Sequence, residues 1–173
     1  MKEVKKEISV KFYLFHQLSA DDAILVSRAM KVRRNAYAPY SKYAVGATVL
    51  ERSGKIFTGC NVECATFTQT SHAEQVAIAK MISEVGKIKI EAVCCVGAFS
   101  NLGIGLAKES PNIRFNHIED ACMPCGQCLQ IIWEFCEDDP NVRLLGVTAS
   151  GLISITSIGN VLPVRFGPAD LGK

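Results

Sequence analysis

A strand with one wet face alternates apolar and polar side chains, and the run Ile90-Glu-Ala-Val-Cys-Cys-Val-Gly-Ala-Phe99 does not. Residues 92–96 are apolar without a break, so a strand here is covered on both sides and helices must flank its sheet. One such helix is written immediately upstream. Residues 72–85 are apolar nearly all round, through Ala73, Val76, Ala77, Ile78, Ala79, Met81 and Ile82, and Gly86 is a natural C-cap.

The other elements fall around this pair. Ser19-Ala-Asp-Asp22 resembles a capping box, and Leu25, Ala29, Val32 and Ala36 recur at helical spacing, which predicts a helix over 21–35 ended by Ala38-Pro39. Strands are expected over 44–50 and 56–61, joined by a turn at Arg52-Ser53-Gly54. Leu129, Ile132, Trp133 and Cys136 share one face of a helix starting near Pro124, a favourable first-turn residue, and strands follow over 142–147 and 152–157. Residues 100–123 are more polar, lack a period and read as an insertion. The order α-β-β-α-β-α-β-β implies one sheet with helices on its faces, in a single α/β domain over 19–173 after an N-terminal extension at 1–18.

A 173-residue chain buries enough surface to need no covalent staples, so its eight cysteines ask for another reason. Lys2, Glu3, Lys5, Lys6, Glu7 and Lys11 precede no apolar stretch of the kind a secretory signal has. The thiols are therefore expected reduced, in a cytoplasmic setting where clustered cysteines signal metal or catalysis. Cys122, Cys125 and Cys128 form the cluster; Cys94 and Cys95 lie inside the apolar strand and read as buried fillers.

His72-Ala-Glu74 opens one predicted helix and Pro124-Cys125-Gly-Gln-Cys128 opens another. One imidazole and two thiolates suit Zn²⁺ and leave a fourth tetrahedral position for water. Exposed N–H groups at both helix starts favour thiolate, and a carboxylate at Glu74 can act as general acid and base on that water. This H-x-E and P-C-x-x-C pairing is the signature of zinc deaminases. Three other readings compete. Cys122 could complete a closed structural site; the cysteine run could be an iron–sulfur motif, although Ile132 stands where its next Cys belongs; or His72 could be a core residue and the thiols inert.

At these residues the chain resembles the small nucleoside class of cytidine deaminases. The resemblance runs over 19–171 through Tyr37-Ala-Pro-Tyr-Ser-Lys-Tyr-Ala-Val-Gly-Ala47, Thr58-Gly-Cys-Asn-Val-Glu63, His72-Ala-Glu-Gln75, Pro124-Cys-Gly-Gln-Cys128 and Leu162-Pro-Val-Arg-Phe-Gly-Pro-Ala-Asp-Leu171. It implies a three-layer α/β/α fold around a five-stranded mixed sheet. It also implies one zinc per subunit on His72, Cys125 and Cys128, with Glu74 catalytic, and hydrolysis of cytidine or deoxycytidine to the uridine nucleoside and ammonia in pyrimidine salvage. By the same resemblance Asn61 and Glu63 hold the ribose hydroxyls, and Tyr43 and Phe67 are aromatics at the site. The Ala73 N–H and Pro124 carbonyl read the pyrimidine edge and the departing amine, and Phe166 reaches a neighbouring subunit of a homo-oligomer; with one deaminase domain in 173 residues, a tetramer is favoured and a dimer is the alternative. Gln75 and Leu129 stand where many relatives carry Arg, and Cys64 where Asn is frequent. With two thiolates instead of three on zinc, the charge is already balanced and Gln75 needs no positive charge.

Competing functions are separated by charge and by the sugar motif. Lys+Arg total 19 against 17 Asp+Glu, a net charge of +2 that gives no bulk pull toward nucleic acid or membrane. Residues 119–139 hold Glu119, Asp120, Glu134, Glu137, Asp138 and Asp139 with no Lys or Arg, against a polyanion beside the cysteines. A deaminase of a blasticidin-type antibiotic or of a free base is the nearest alternative, which Asn61 and Glu63 disfavour; a non-catalytic zinc scaffold is the more distant one.

Overall fold

The computed structural model describes residues 3, 5–99, 121–148 and 150–172. The insertion expected over 100–123 lies outside them except for Ala121, Cys122 and Met123. Ten elements follow in order: β1 (Lys11–Tyr13), α1 (Ala20–Arg33), β2 (Tyr43–Glu51), β3 (Ile56–Cys60), α2 (Ala73–Val85), β4 (Ile90–Phe99), α3 (Gly126–Glu134), β5 (Arg143–Val147), β6 (Ile153–Ser157) and the single turn α4 (Ile158–Val161).

The strands form one mixed sheet in the order β1-β6-β5-β4-β2-β3, in which only β4 and β5 run parallel. Along β4 the side chains divide between two cores. Ala92, Cys94 and Val96 pack with Leu25, Val26 and Ala29 of α1, while Val93 and Cys95 pack with Ala77 and Met81 of α2 and with Leu129, Ile132 and Trp133 of α3. The unbroken apolar run thus has helices on both faces, in the expected three layers. A side chain as large and as fully buried as Leu25 or Met81 is worth roughly 1.5–3 kcal/mol relative to exposure.

The sheet has six strands where five were expected. Residues 11–13, assigned to an extension, pair antiparallel with β6, Lys11 opposite Ile155 and Tyr13 opposite Ile153. Three residues carry no usable periodicity; they are recruited by the otherwise open edge of β6. Thr156 Oγ1 and Asn160 Nδ2 both donate to the Ser9 carbonyl, at 2.7 and 3.1 Å, and hold the arm in place.

Local signals set the helix starts. Ser19 Oγ caps α1 by accepting from the Asp22 N–H at 3.2 Å, and Asp22, buried, pairs with Arg143 of β5. The β2–β3 turn is closed by the buried Glu51 carboxylate, which accepts from the backbone N–H of Ser53 at 2.6 Å and of Lys55 at 2.8 Å. These bonds, with the Ser53 hydroxyl foremost, hold Glu51 below the ordinary carboxylate range against the opposing effect of burial. Helix α2 lies so close to β3 that a Cβ on Gly59 would sit 2.5 Å from the Ala77 backbone nitrogen. That contact fixes the height of the helix whose first residues carry the chemistry.

Candidate metal centre and its cleft

His72 is the N-cap of α2 and Cys125 the N-cap of α3. The two helix starts bring their side chains together although 53 residues separate them: His72 Nδ1 is 3.4 Å from Cys125 Sγ and 3.3 Å from Cys128 Sγ. Tetrahedral zinc, with bonds of about 2.05 Å to nitrogen and 2.3 Å to sulfur, would hold such donors about 3.6 Å apart. The donor set therefore fits the ion within a few tenths of an ångström. Among the described residues these three alone form a cluster able to hold a metal. Cys122, the candidate fourth ligand, is outside it.

The surroundings explain why a cation belongs there. Burial pushes the Cys128 thiol well above its ordinary range, and the charges of Glu74 and Cys125 push it further. Cys95, beneath the site, is raised by burial and by Glu74 in the same way. Burial here outweighs the help expected from the helix N-termini. The exposed Cys125 and the buried Cys128 thiols lie close to the buried Glu74 carboxylate, and a divalent cation bound there would favour both thiolates and offset the repulsion between these groups.

Gln75 has a structural task that the sequence left unstated: its Oε1 accepts the His72 backbone N–H at 3.0 Å, fixing the residue that bears the imidazole. A Gln three positions after the N-cap is the capping-box signal and could have been read as such.

The cluster opens onto a cleft of about 350 Å³ lined by Tyr43, Asn61, His72, Ala73, Glu74 and Cys122 among others. Such a volume is in the range of small-molecule sites. Glu74, only 5% exposed, sits in the first turn of α2 with its neighbours Cys95 and Cys128. Ala73 is the first helical residue, so its N–H has no acceptor within the helix. Pro124 is buried immediately before Cys125.

The remaining expected residues are distributed unevenly. Asn61 lines the cleft, but its amide is also a stitch in the sheet: Oδ1 accepts from Val45 N at 2.8 Å and Nδ2 donates to the Tyr43 carbonyl at 2.9 Å. Glu63 is not part of the cleft lining. It accepts from the Ser41 hydroxyl and from the N–H groups of Tyr40 and Ser41, at 2.9 and 3.2 Å, bonds that together hold its carboxyl below the ordinary range. Phe67 also departs from expectation: it is 70% exposed and meets the Tyr40 ring edge-on at 5.7 Å, outside the lining. A lone aromatic in a polar stretch gives no directional signal, which is why its side could not be read. Phe166 is exposed on the C-terminal segment, its carbonyl accepting from Gln130 Nε2 at 2.7 Å. Leu129, in place of the frequent Arg, is buried against the α2 side of the core.

The chain is similar to known proteins in both sequence and fold. The model of the cytidine and deoxycytidylate deaminase zinc-binding region matches residues 19–142. The chain is 33% identical over 147 residues to a cytidine deaminase of Sporosarcina psychrophila, spanning 85% of this chain and 92% of that one. It is 29% identical to a cytidine deaminase of Halalkalibacterium halodurans, over 87% of this chain and 98% of that one. The crystal structure of cytidine deaminase from Burkholderia pseudomallei superposes with a TM-score of 0.63 at 29% identity, covering 83% of this chain and 97% of that chain. That of a mutant cytidine deaminase from Mycobacterium tuberculosis gives 0.65 at 27% identity, covering 88% and 99%.

Proposed function

This chain belongs to the cytidine and deoxycytidylate deaminase family, and on that premise we propose that it hydrolyses cytidine or deoxycytidine to the uridine nucleoside and ammonia. The observation that carries the reading is the meeting of His72, Cys125 and Cys128 at the wall of a cleft that also holds the buried Glu74. When bound, zinc supplies an acidified water, and the three protein donors leave it a position for one.

The chain's own residues do the rest. Glu74 accepts a proton from the attacking water and delivers it to ring nitrogen N3, then accepts the second proton from the hydroxyl now on C4 and passes it to the exocyclic amine, so that ammonia leaves and the C4 carbonyl forms. Its place in the first turn of α2, two residues after a ligand, keeps it beside the reacting carbon throughout. The unpaired Ala73 N–H and the Pro124 carbonyl orient the pyrimidine edge and the leaving amine. Asn61 keeps one amide hydrogen and one lone pair beyond its bonds to Tyr43 and Val45, enough to meet a sugar hydroxyl. Glu63 reaches the sugar by exchanging Ser41 for a ribose hydroxyl. Tyr43 walls the nucleoside, while the exposed Phe166 acts across a subunit boundary, in a homotetramer with one zinc per chain. A cytoplasmic place in pyrimidine salvage follows from such a substrate; no helix of the described residues is long and apolar enough to cross a membrane.

The test is an ultraviolet assay of the purified protein on cytidine, deoxycytidine, cytosine and blasticidin, with metal analysis of the same sample. Absorbance lost with the two nucleosides, and about one zinc per chain, is the expected result. Turnover confined to cytosine or blasticidin would move the assignment to another amino-heterocycle, and zinc without turnover of any of the four would make the chain a scaffold.

A further inference from the structure

Beyond Glu63 the chain doubles back through the short turn Phe67–Gln69 and meets itself just before α2. Val62 and Ser71 exchange both backbone bonds, the Val62 N–H donating at 3.0 Å and the Ser71 N–H at 2.9 Å. Side chains alternate along extended chain, so the residues flanking this antiparallel bridge, Asn61 and Glu63 on one side and Thr70 and His72 on the other, turn to the face opposite Val62 and Ser71. The cleft lining keeps that alternation: Asn61, Thr70 and His72 belong to it, whereas Val62 and Ser71 do not. Thr70 thus shares a face with the sugar-binding pair and with a metal ligand, and belongs to neither set.

Its place is fixed by two hydrogen bonds. The Thr70 N–H donates to the Phe67 carbonyl at 3.0 Å, and Thr70 Oγ1 accepts from the Cys64 N–H at 3.3 Å. A threonine hydroxyl has one hydrogen and two lone pairs. The Cys64 bond uses a lone pair, and the hydrogen has no acceptor among the described residues. The neighbouring Glu63 carboxylate offers the opposite capacity, since it accepts hydrogen bonds and donates none. Its two oxygens suit the vicinal 2′ and 3′ hydroxyls of a ribose, but each of those hydroxyls also has lone pairs that the carboxylate leaves unused. A braced hydroxyl with its hydrogen to spare supplies what is missing.

On the deaminase reading of this cleft, we infer that Thr70 is a specificity-determining residue for the sugar: braced by the Cys64 N–H, its hydroxyl donates a hydrogen bond to a 2′ or 3′ hydroxyl of the bound nucleoside. The sugar is remote from the C–N bond that breaks, so this bond is equally strong in the ground and transition states. It acts on affinity and leaves kcat alone.

KM and kcat are measured on cytidine, 2′-deoxycytidine, 3′-deoxycytidine and 2′,3′-dideoxycytidine for the parent, Thr70→Val and Thr70→Ser. Dissociation constants for the same nucleosides are measured by calorimetry with each substitution placed on Glu74→Gln, and zinc content is determined for all. Thr70→Val keeps the shape and removes the hydroxyl. It is expected to raise the cytidine KM and dissociation constant roughly fivefold, the factor carried by one net hydrogen bond. We expect kcat within about twofold of the parent, zinc unchanged, and Thr70→Ser close to the parent. On 2′,3′-dideoxycytidine, Thr70→Val should match the parent within about twofold, because the partner hydroxyls are gone. Of the two monodeoxy nucleosides, the one whose affinity no longer responds to Thr70→Val identifies the hydroxyl that is held. An equal loss on cytidine and dideoxycytidine would make Thr70 a brace of the turn alone and overturn the inference. Unchanged cytidine affinity, zinc lost on Thr70→Val, or a Glu74→Gln protein that does not bind cytidine would overturn it as well. A parent that binds cytidine without turning it over would count against the deaminase reading only, and the calorimetric series would still decide the role of Thr70.

Discussion

On the proposed mechanism, Glu74→Gln separates proton transfer from everything else the side chain does. The carboxylate is 5% exposed and neighbours Cys95 and Cys128. The carboxamide has the same shape and volume and can occupy the same space, so packing around α2 is retained and the thermal midpoint should move by no more than about 2 °C. Removing one negative charge from beside the buried thiols lessens their mutual repulsion, so zinc content should not fall. What is lost is general acid–base catalysis, worth about 10²- to 10⁴-fold in kcat, or about 2.7–5.4 kcal/mol in the barrier at 1.36 kcal/mol per decade. Cytidine turnover followed by absorbance, zinc by mass spectrometry and nucleoside binding by calorimetry together separate the three contributions. A variant that retains zinc and binds cytidine but turns over within tenfold of the parent would refute the assignment of Glu74. Loss of zinc in a folded variant would instead show that the carboxylate supports the metal.

Three further outcomes follow from the geometry. Gly59→Ala must move α2 away from β3, which should cost about 1–3 kcal/mol of stability and, because α2 carries His72 and Glu74, lower kcat as well; a shifted thermal midpoint with unchanged kcat would show that the site tolerates the movement. Glu51 has a depressed pKa in the folded state, so its contribution is complete above the ordinary carboxylate value of 4.5 and fades as pH falls through the lower folded value. Glu51→Gln should therefore reduce stability near neutrality and flatten the acid limb of a urea-midpoint profile, and parallel profiles for parent and variant would remove Glu51 as a cause of acid unfolding. Cys125→Ser should leave the chain folded but with much less zinc and no measurable turnover, whereas full zinc occupancy in that variant would place the metal elsewhere.

The elements that could be read from the sequence are those whose signal is carried by many residues at one period. The buried helix at 73–85, the two-sided strand at 90–99 and the hairpin with its turn at Arg52-Ser53-Gly54 all appear within a residue or two of expectation. The meeting of His72, Cys125 and Cys128 was also legible, because two short motifs at helix starts carry these residues. Strand β1 was not: three residues pair only because β6 is already in place to receive them. Nor were the partners of polar side chains separated by long stretches of chain. Asn61 stitches β2, and Glu63 grips the Tyr40–Ser41 backbone. Each depends on which strands become neighbours, a property of the whole sheet rather than of any local stretch.

The chain has eight free cysteines, yet His72 and Cys125 meet across 53 positions. A zinc ion shared by them would act as a removable crosslink. Because the site exists only in the folded chain, the free energy of binding the ion adds directly to the stability of the fold. Metal supply would then govern how long each molecule survives proteolysis as well as how fast it turns over.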